Sequence, residues 1–183
     1  MITTLDGAID VDGRSGPLGG PADQARLVAL RERASVVLVG AGTVRAERYG
    51  PPSRADLTIG VVTASATLDY TSPLFASGQG FVVTTEDAPE VPVASVRAGR
   101  GRIDFTSVIT RLPAGIVHVE GGPMLNAALL EADLVDALNL TISPHLVGSR
   151  GPSVSLAPHA ARRFHLVDIA HVDEFAFVRY ERR

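Results

Sequence analysis

Ile116-Val117-His118-Val119-Glu120-Gly121-Gly122-Pro123, continuing into Met124–Ala132, is the stretch on which the reading of the fold turns. A short apolar, β-branched run closes on a carboxylate and two glycines, and an amphipathic segment follows. That is the pattern of a strand, a tight turn and a helix. A second run of the same kind, Ser35–Val39, passes into Gly40-Ala41-Gly42-Thr43. Glycine at such a turn lets backbone approach a ligand, and the free N–H groups of a helix start attract phosphate. Ligands of open α/β sheets lie at the carboxyl ends of the strands, where both segments fall. A tight turn also uses glycine for steric reasons alone, so either segment by itself decides little; the two together point to a nucleotide. Neither is the Rossmann fingerprint, because Arg45 stands where Gly40-Ala41-Gly42 would need its third glycine.

Working outward, strands and helices alternate. Met1–Leu5 reads as a short extended piece, continued by Ile9–Val11 after a turn at Asp6-Gly7. Pro21–Arg33 reads as a helix started by proline, with Leu27, Leu30 and Ala34 on one face. Further strands are predicted at Thr58–Thr63, Gly80–Thr84 and, more weakly, Val91–Val96. Ala137–Ile142, Phe164–Val172 and Phe175–Tyr180 close the chain, the last two as a hairpin about Asp173. The expected fold class is therefore α/β, a mostly parallel central sheet with an antiparallel C-terminal hairpin, in one domain spanning residues 1–183. The loop Pro51-Pro52-Ser53-Arg54-Ala55-Asp56 lies between two strands and is read as the lip of a site.

Composition removes much chemistry. All 17 basic residues are arginine, so a Schiff-base lysine and a P-loop lysine are excluded. The absence of cysteine excludes thiolate nucleophiles, disulfides and cysteine-ligated zinc or iron–sulfur sites. His118, His145, His159, His165 and His171 show no metal-ligand spacing, and no metal is expected. Ser15, in Gly13-Arg14-Ser15-Gly16, is not in a nucleophile elbow. Twenty acidic residues leave a net charge of −3, so no global field draws nucleic acid or anionic membrane. No apolar run reaches the ~20 residues of a membrane span, and the start of the chain has no signal-peptide pattern, so a cytoplasmic protein is expected.

Among single residues, Glu120 stands out. A carboxylate closing a buried strand can accept hydrogen bonds from the amino and ring N–H groups of a heterocycle. Its ordinary role would be that of an anion favoured by a helix start. Asp6 is explained by the turn it opens. Arg31, near the end of the first helix, suits the carbonyl end of that helix, and Arg54 in the proline-rich loop is by default solvated.

In order along the chain stand Thr4-Leu5-Asp6-Gly7, Gly13-Arg14-Ser15-Gly16, Leu30-Arg31, Gly40-Ala41-Gly42-Thr43-Val44, Glu120-Gly121-Gly122-Pro123, Val135-Asp136 and Ile142-Ser143-Pro144 through Gly148. Taken together they resemble the riboflavin-biosynthesis pyrimidine reductases, the reductase domain of the bifunctional deaminase–reductase. That resemblance implies a three-layer fold like dihydrofolate reductase and a homodimer. It implies hydride transfer from NADPH to the ribose C1 of 5-amino-6-(5-phosphoribosylamino)uracil, a small phosphorylated pyrimidine. The matched positions place substrate contacts on Ser15, Arg31, Arg54 and Glu120, the first three on phosphate and Glu120 on the pyrimidine. They place the cofactor on Thr43, Glu47, Ser65 and the helix start Gly121, Gly122, Pro123, Met124, Leu125 and Asn126, with Ser65 as hydroxyl donor to the 2′-phosphate. Glu120 and Asp6 are the carboxylates to consider for proton movement.

Three departures accompany the resemblance. No zinc-deaminase signature is present, as expected of a free-standing reductase. Residue 1 falls within the family's first strand, which is expected to be short here. The family's Asp-Asp-Pro reads Ala46-Glu47-Arg48-Tyr49-Gly50. The altered loop leaves open a reductase of another pterin or pyrimidine, and the short strand leaves open a dimeric NADP-binding protein without turnover.

Overall fold

In a computed structural model, which describes residues 1–148, 152–155 and 161–183, β2 (Val36–Gly40) shows how the layers form. Val36, Val37, Leu38 and Val39 are fully buried, as a strand covered on both faces must be. Val37 and Val39 point to one side, into a core with Ile59, Val61, Leu74 and Phe75. Leu38 points to the other, against Val83, Phe105, Val108, Leu125 and Leu129. Each such side chain contributes roughly 1.5–3 kcal/mol by leaving water.

Five parallel strands make this sheet, in the order β5 (Ser95–Arg97), β4 (Gly80–Thr84), β3 (Ile59–Val62), β2, β6 (Val117–Val119). Helices α2 (Ala41–Glu47) and α3 (Pro73–Ala76) cover the first core; α4 (Phe105–Arg111) and α5 (Pro123–Glu131) cover the second. The three-layer expectation holds. A second sheet has the order β1 (Ile2–Thr3), β7 (Ala137–Ile142), β9 (Phe175–Glu181), β8 (His165–Val172). Its β8–β9 pair is the expected antiparallel hairpin, turning through Asp173 at φ +51°. The mostly parallel central sheet and the C-terminal hairpin thus fall in two sheets, β6 and β1 not being hydrogen-bonded neighbours.

Helix α1 (Pro21–Glu32) has no fully buried residue, and its Leu27 and Leu30 face a cavity rather than the core. Other differences have local causes. Ile9–Val11 is no strand, because Asp12 and Gly13, at φ +51° and +79°, fold Val11 back onto Arg14. The strand expected over Val91–Val96 begins only at Ser95, past Pro92, which cannot donate to a ladder. Helices α2, α3 and α4 are too short for a periodic signal. Among the described residues no helix is long and apolar enough to cross a membrane, and no cluster of three His, Cys, Asp or Glu could hold a metal. His159 lies outside the described residues.

Candidate active site

Strands β2 and β6 are parallel neighbours, with Leu38 paired to Val119, so their glycine segments emerge side by side. The Gly40 N–H donates to the Gly121 carbonyl at 2.7 Å, and Glu120 N–H donates to the Leu38 carbonyl at 2.9 Å. A Cβ on Gly40 would lie 3.2 Å from the Gly122 nitrogen, and one on Gly122 would lie 2.7 Å from Thr43 Oγ1. Gly121, at φ +90°, is in a region that side-chain-bearing residues avoid. The two segments read separately in the sequence therefore form one backbone cradle. It opens on a cavity of about 1220 Å³ that extends to the loop between β5 and α4.

Glu120 sits at the cradle's edge with 4% of its side chain exposed. Arg31 grips it with both prongs, Nε to Oε1 at 2.6 Å and Nη2 to Oε2 at 2.7 Å. The Tyr49 hydroxyl donates to Oε2 at 2.6 Å, and the Arg31 guanidinium lies over the Tyr49 ring, 5.7 Å from its centre. Burial alone pushes the Glu120 pKa up, but the Arg31 and Tyr49 bonds and the Arg31 charge outweigh it and hold the carboxyl below its ordinary value. Burial, and then the Glu120 charge, push the Tyr49 phenol well above its ordinary value. The hydrogen bond to Glu120 raises Arg31 further. His118 Nε2 is buried without a hydrogen-bond partner, 3.5 Å from Glu120 Oε1. Burial lowers the His118 pKa more than Glu120 raises it. At neutral pH the cluster is an ionised carboxylate, a guanidinium, a phenol and a neutral imidazole.

Of the residues singled out in the sequence, Ser15, Thr43, Glu47 and Glu120 line the cavity, as do Gly122, Pro123, Met124 and Leu125. Gly121 and Asn126 stand behind that wall, where Asn126 Nδ2 donates to the Val154 carbonyl. Ser15 and Glu47, expected on opposite ligands, are bonded to each other: Ser15 donates from its N–H at 2.6 Å and its Oγ at 2.9 Å to Glu47 Oε1.

The other four expected site residues, Arg31, Arg54, Asp6 and Ser65, do not line the cavity. Arg31 is bonded through both prongs to Glu120. Arg54 faces away from the cavity: its guanidinium donates to the carbonyls of Arg31, Glu32 and Ala34, at the carbonyl-rich end of α1, and its Nε to Asp56. Asp6 is exposed and bound by the Thr4 hydroxyl and the Val147 and Gly148 N–H groups, with those bonds, Thr4 first, lowering its pKa. Its carboxylate clamps a loop and lies off the cavity wall. Ser65 meets Thr63 Oγ1 at 3.4 Å and the Thr67 N–H at 3.3 Å, also off the wall.

Sequence reasoning missed Tyr49 and His118. The period of a strand could have found His118, two residues from Glu120 and so on the same face. Tyr49 has no such signal; its place follows from the chain turning at Arg48, in the left-handed region at φ +52°.

A glycine cradle and a buried carboxylate at the carboxyl ends of parallel strands define the class: an α/β domain of the dihydrofolate reductase type. The structure of Enterococcus faecalis dihydrofolate reductase, solved with NADP(H), superposes with a TM-score of 0.62 at 16% identity, over 98% of this chain and 92% of that one. More narrowly, residues 1–176 match the family described as the RibD C-terminal domain, and the chain belongs to that family. It is 29% identical to the 2,5-diamino-6-ribosylamino-4(3H)-pyrimidinone 5′-phosphate reductase of Methanothermobacter thermautotrophicus over 165 residues, 80% of this chain and 76% of that protein. A pyrimidine reductase-like protein of Corynebacterium diphtheriae has the same fold, with a TM-score of 0.84 at 23% identity over 98% of this chain and 88% of that one.

Proposed function

We propose that the whole chain works as one reductase domain that reduces a phosphoribosylamino-pyrimidine, 5-amino-6-(5-phosphoribosylamino)uracil, with NADPH in riboflavin biosynthesis. The observation that carries this reading is the meeting, in one cavity, of the glycine cradle with Glu120 and Tyr49, the carboxylate being held from behind by Arg31. The cradle fits a dinucleotide: at Gly122 a side chain would run into Thr43, and the bare backbone there opens a nine-residue helix, α5, whose first turn past Pro123 leaves N–H groups without an intrahelical partner. When bound, the nicotinamide cofactor supplies the hydride that reduces ribose C1 in its ring-opened imine form.

The chain's own residues supply position and polarity. Glu120 accepts N–H groups of the pyrimidine, for which Oε1 keeps a lone pair beside its bond to Arg31. Arg31 and Tyr49 hold the carboxylate ionised and oriented. Thr43, and Pro123 through Leu125, line the cofactor's path, while the Ser15–Glu47 bonds tie the segment before α1 to the end of α2. Holding two ligands face to face away from water is most of what such a transfer requires. The proton that accompanies hydride goes to the imine nitrogen; Glu120, held ionised, orients the substrate and is not its donor.

This reading carries a cytoplasmic setting and a homodimer. The second copy is drawn to β8, an outer strand of its sheet, where Leu166, Val167, Ile169 and Val172 are each half or more exposed. Light scattering on Ile169→Lys, set against the wild-type mass, checks it. The activity is tested by following NADPH oxidation with the aminouracil substrate, its 2,5-diaminopyrimidinone counterpart and dihydrofolate. Turnover with a ribosylamino phosphate is expected; turnover with dihydrofolate alone, or with none of the three, refutes the assignment.

A further inference from the structure

The end of the cavity far from Glu120 is built from Gly99-Arg100-Gly101-Arg102, the loop between β5 and α4, all four of which line it. Resting on the reading of a nicotinamide dinucleotide in this cavity, we propose that Arg100 and Arg102 bind the 2′-phosphate of the cofactor and make the protein select NADPH over NADH. The loop is held in shape by its neighbours. Gly99 and Gly101 have φ of +78° and +68°. The Gly101 N–H donates to the Asp87 carboxylate at 3.1 Å, and the Glu86 N–H donates to the Gly99 carbonyl at 2.8 Å. A Cβ at Gly99 would run into the Arg102 carbonyl, so the tight path that brings two guanidinium stems to one rim depends on glycine.

Strand order gives the distance. From β6, which ends at Glu120, to β5, which leads to Arg100, is four strand spacings, roughly 19 Å, on the scale of an extended dinucleotide. With the reacting ring near Glu120 and the diphosphate at the cradle of Gly40 and Gly122, the adenosine ribose falls toward β5. There the guanidinium groups are available. Arg102 meets Glu131 only at 3.9 Å, both being exposed, and Arg100 makes no ion pair within 4.0 Å among the described residues. Asp87 is already occupied by the Gly101 N–H. A planar fork matches a phosphate monoester, and an arginine at this ribose is the usual means of accepting a 2′-phosphate.

The test is equilibrium binding, read by nicotinamide fluorescence, of NADPH and NADH to the wild-type chain and to Arg100→Ala, Arg102→Ala, the double variant and Ser65→Ala. Wild type should prefer NADPH, each arginine variant should lose roughly tenfold on NADPH, and NADH should be unchanged. Adenosine 2′,5′-bisphosphate should compete with NADPH in wild type and fail to in the double variant. Equal losses on both cofactors, no loss, or a preference abolished by Ser65→Ala alone overturns the assignment while leaving the dinucleotide reading intact. Weakened binding of ribose 5-phosphate in the same variants, with NADPH unaffected, overturns it in favour of the substrate's phosphate. Wild type that binds neither cofactor defeats the dinucleotide reading itself, and this assignment with it.

Discussion

The two ends of the cavity handle charge in opposite ways. At the β6 end, Glu120, Arg31 and Tyr49 satisfy one another before any ligand arrives, and the carboxylate is almost wholly out of water. At the β5 end, Arg100 and Arg102 are exposed on a glycine-rich loop, and Arg102 has only a loose partner. A paired end fixes the geometry of one carboxylate and costs stability if broken, whereas an open end keeps its charge for a ligand and contributes little to the fold. The same side chain is thus structural at one end of the pocket and available for recognition at the other.

The sharpest way to break that contrast is to unpair the wired end. Removing one partner of a buried ion pair costs about 3–5 kcal/mol, chiefly because the other charge is left stranded. Arg31→Met strands Glu120, with 4% of its side chain exposed; Glu120→Leu strands Arg31, with 26% exposed and able to recruit water. Urea unfolding should therefore show the larger loss, about 4 kcal/mol, for Arg31→Met, and the double variant should recover part of it. Arg102→Ala should stay within about 0.5 kcal/mol of wild type, as surface changes do. Comparable losses at both ends would erase the distinction.

Next in size is Tyr49→Phe, which deletes one hydrogen bond to a charged group and leaves the ion pair in place. A loss of about 1.5 kcal/mol in urea unfolding is expected, with a severalfold higher KM for the pyrimidine and an unchanged Kd for NADPH. A matching change in NADPH affinity would mean that the two ends are not separate. Smaller still is Arg54→Ala. Its guanidinium serves three carbonyls at the end of α1, so about 1 kcal/mol of stability should go, with KM for the phosphorylated substrate unaltered. A strongly raised KM would restore Arg54 to the phosphate.

The contrast also separates what could be read in the sequence from what could not. Buried strands such as Val36–Gly40 and Gly80–Thr84 were legible because an unbroken β-branched run has few other places to go. The two glycine turns were legible as candidates, though not that Gly40 would hydrogen-bond Gly121, since that depends on β2 and β6 being neighbours. Arginine carries no mark of its partner. Arg31 and Arg54 looked alike, yet one turns inward to a carboxylate 89 residues away and the other back to a helix end. Local spacing cannot encode a bond over that separation. For the same reason nothing in the local sequence marks Tyr49, Arg100 or Arg102.

The smallest effect expected is in the pH dependence, and it bears on His118. Its pKa is lower folded than unfolded, chiefly through burial, so the folded state binds fewer protons than the unfolded chain. Stability from this group is therefore complete above the unfolded value of about 6.5 and declines as pH falls through the folded one. Glu120 is also depressed, so its contribution is complete above about 4.3 and is lost on further acidification. Wild type should show two successive declines on acid titration of its urea midpoint, the second shared by Glu120 with Asp6, Asp69, Asp87 and Asp104, whose carboxyls are also held low by hydrogen bonds. His118→Phe should abolish the first and keep the second, because the phenyl ring fills the site without a proton to take up, while Arg31 and Tyr49 still hold Glu120. If the first decline survives the substitution, it belongs to another group, and the neutral imidazole beside Glu120 is not what makes this end of the cavity sensitive to mild acid.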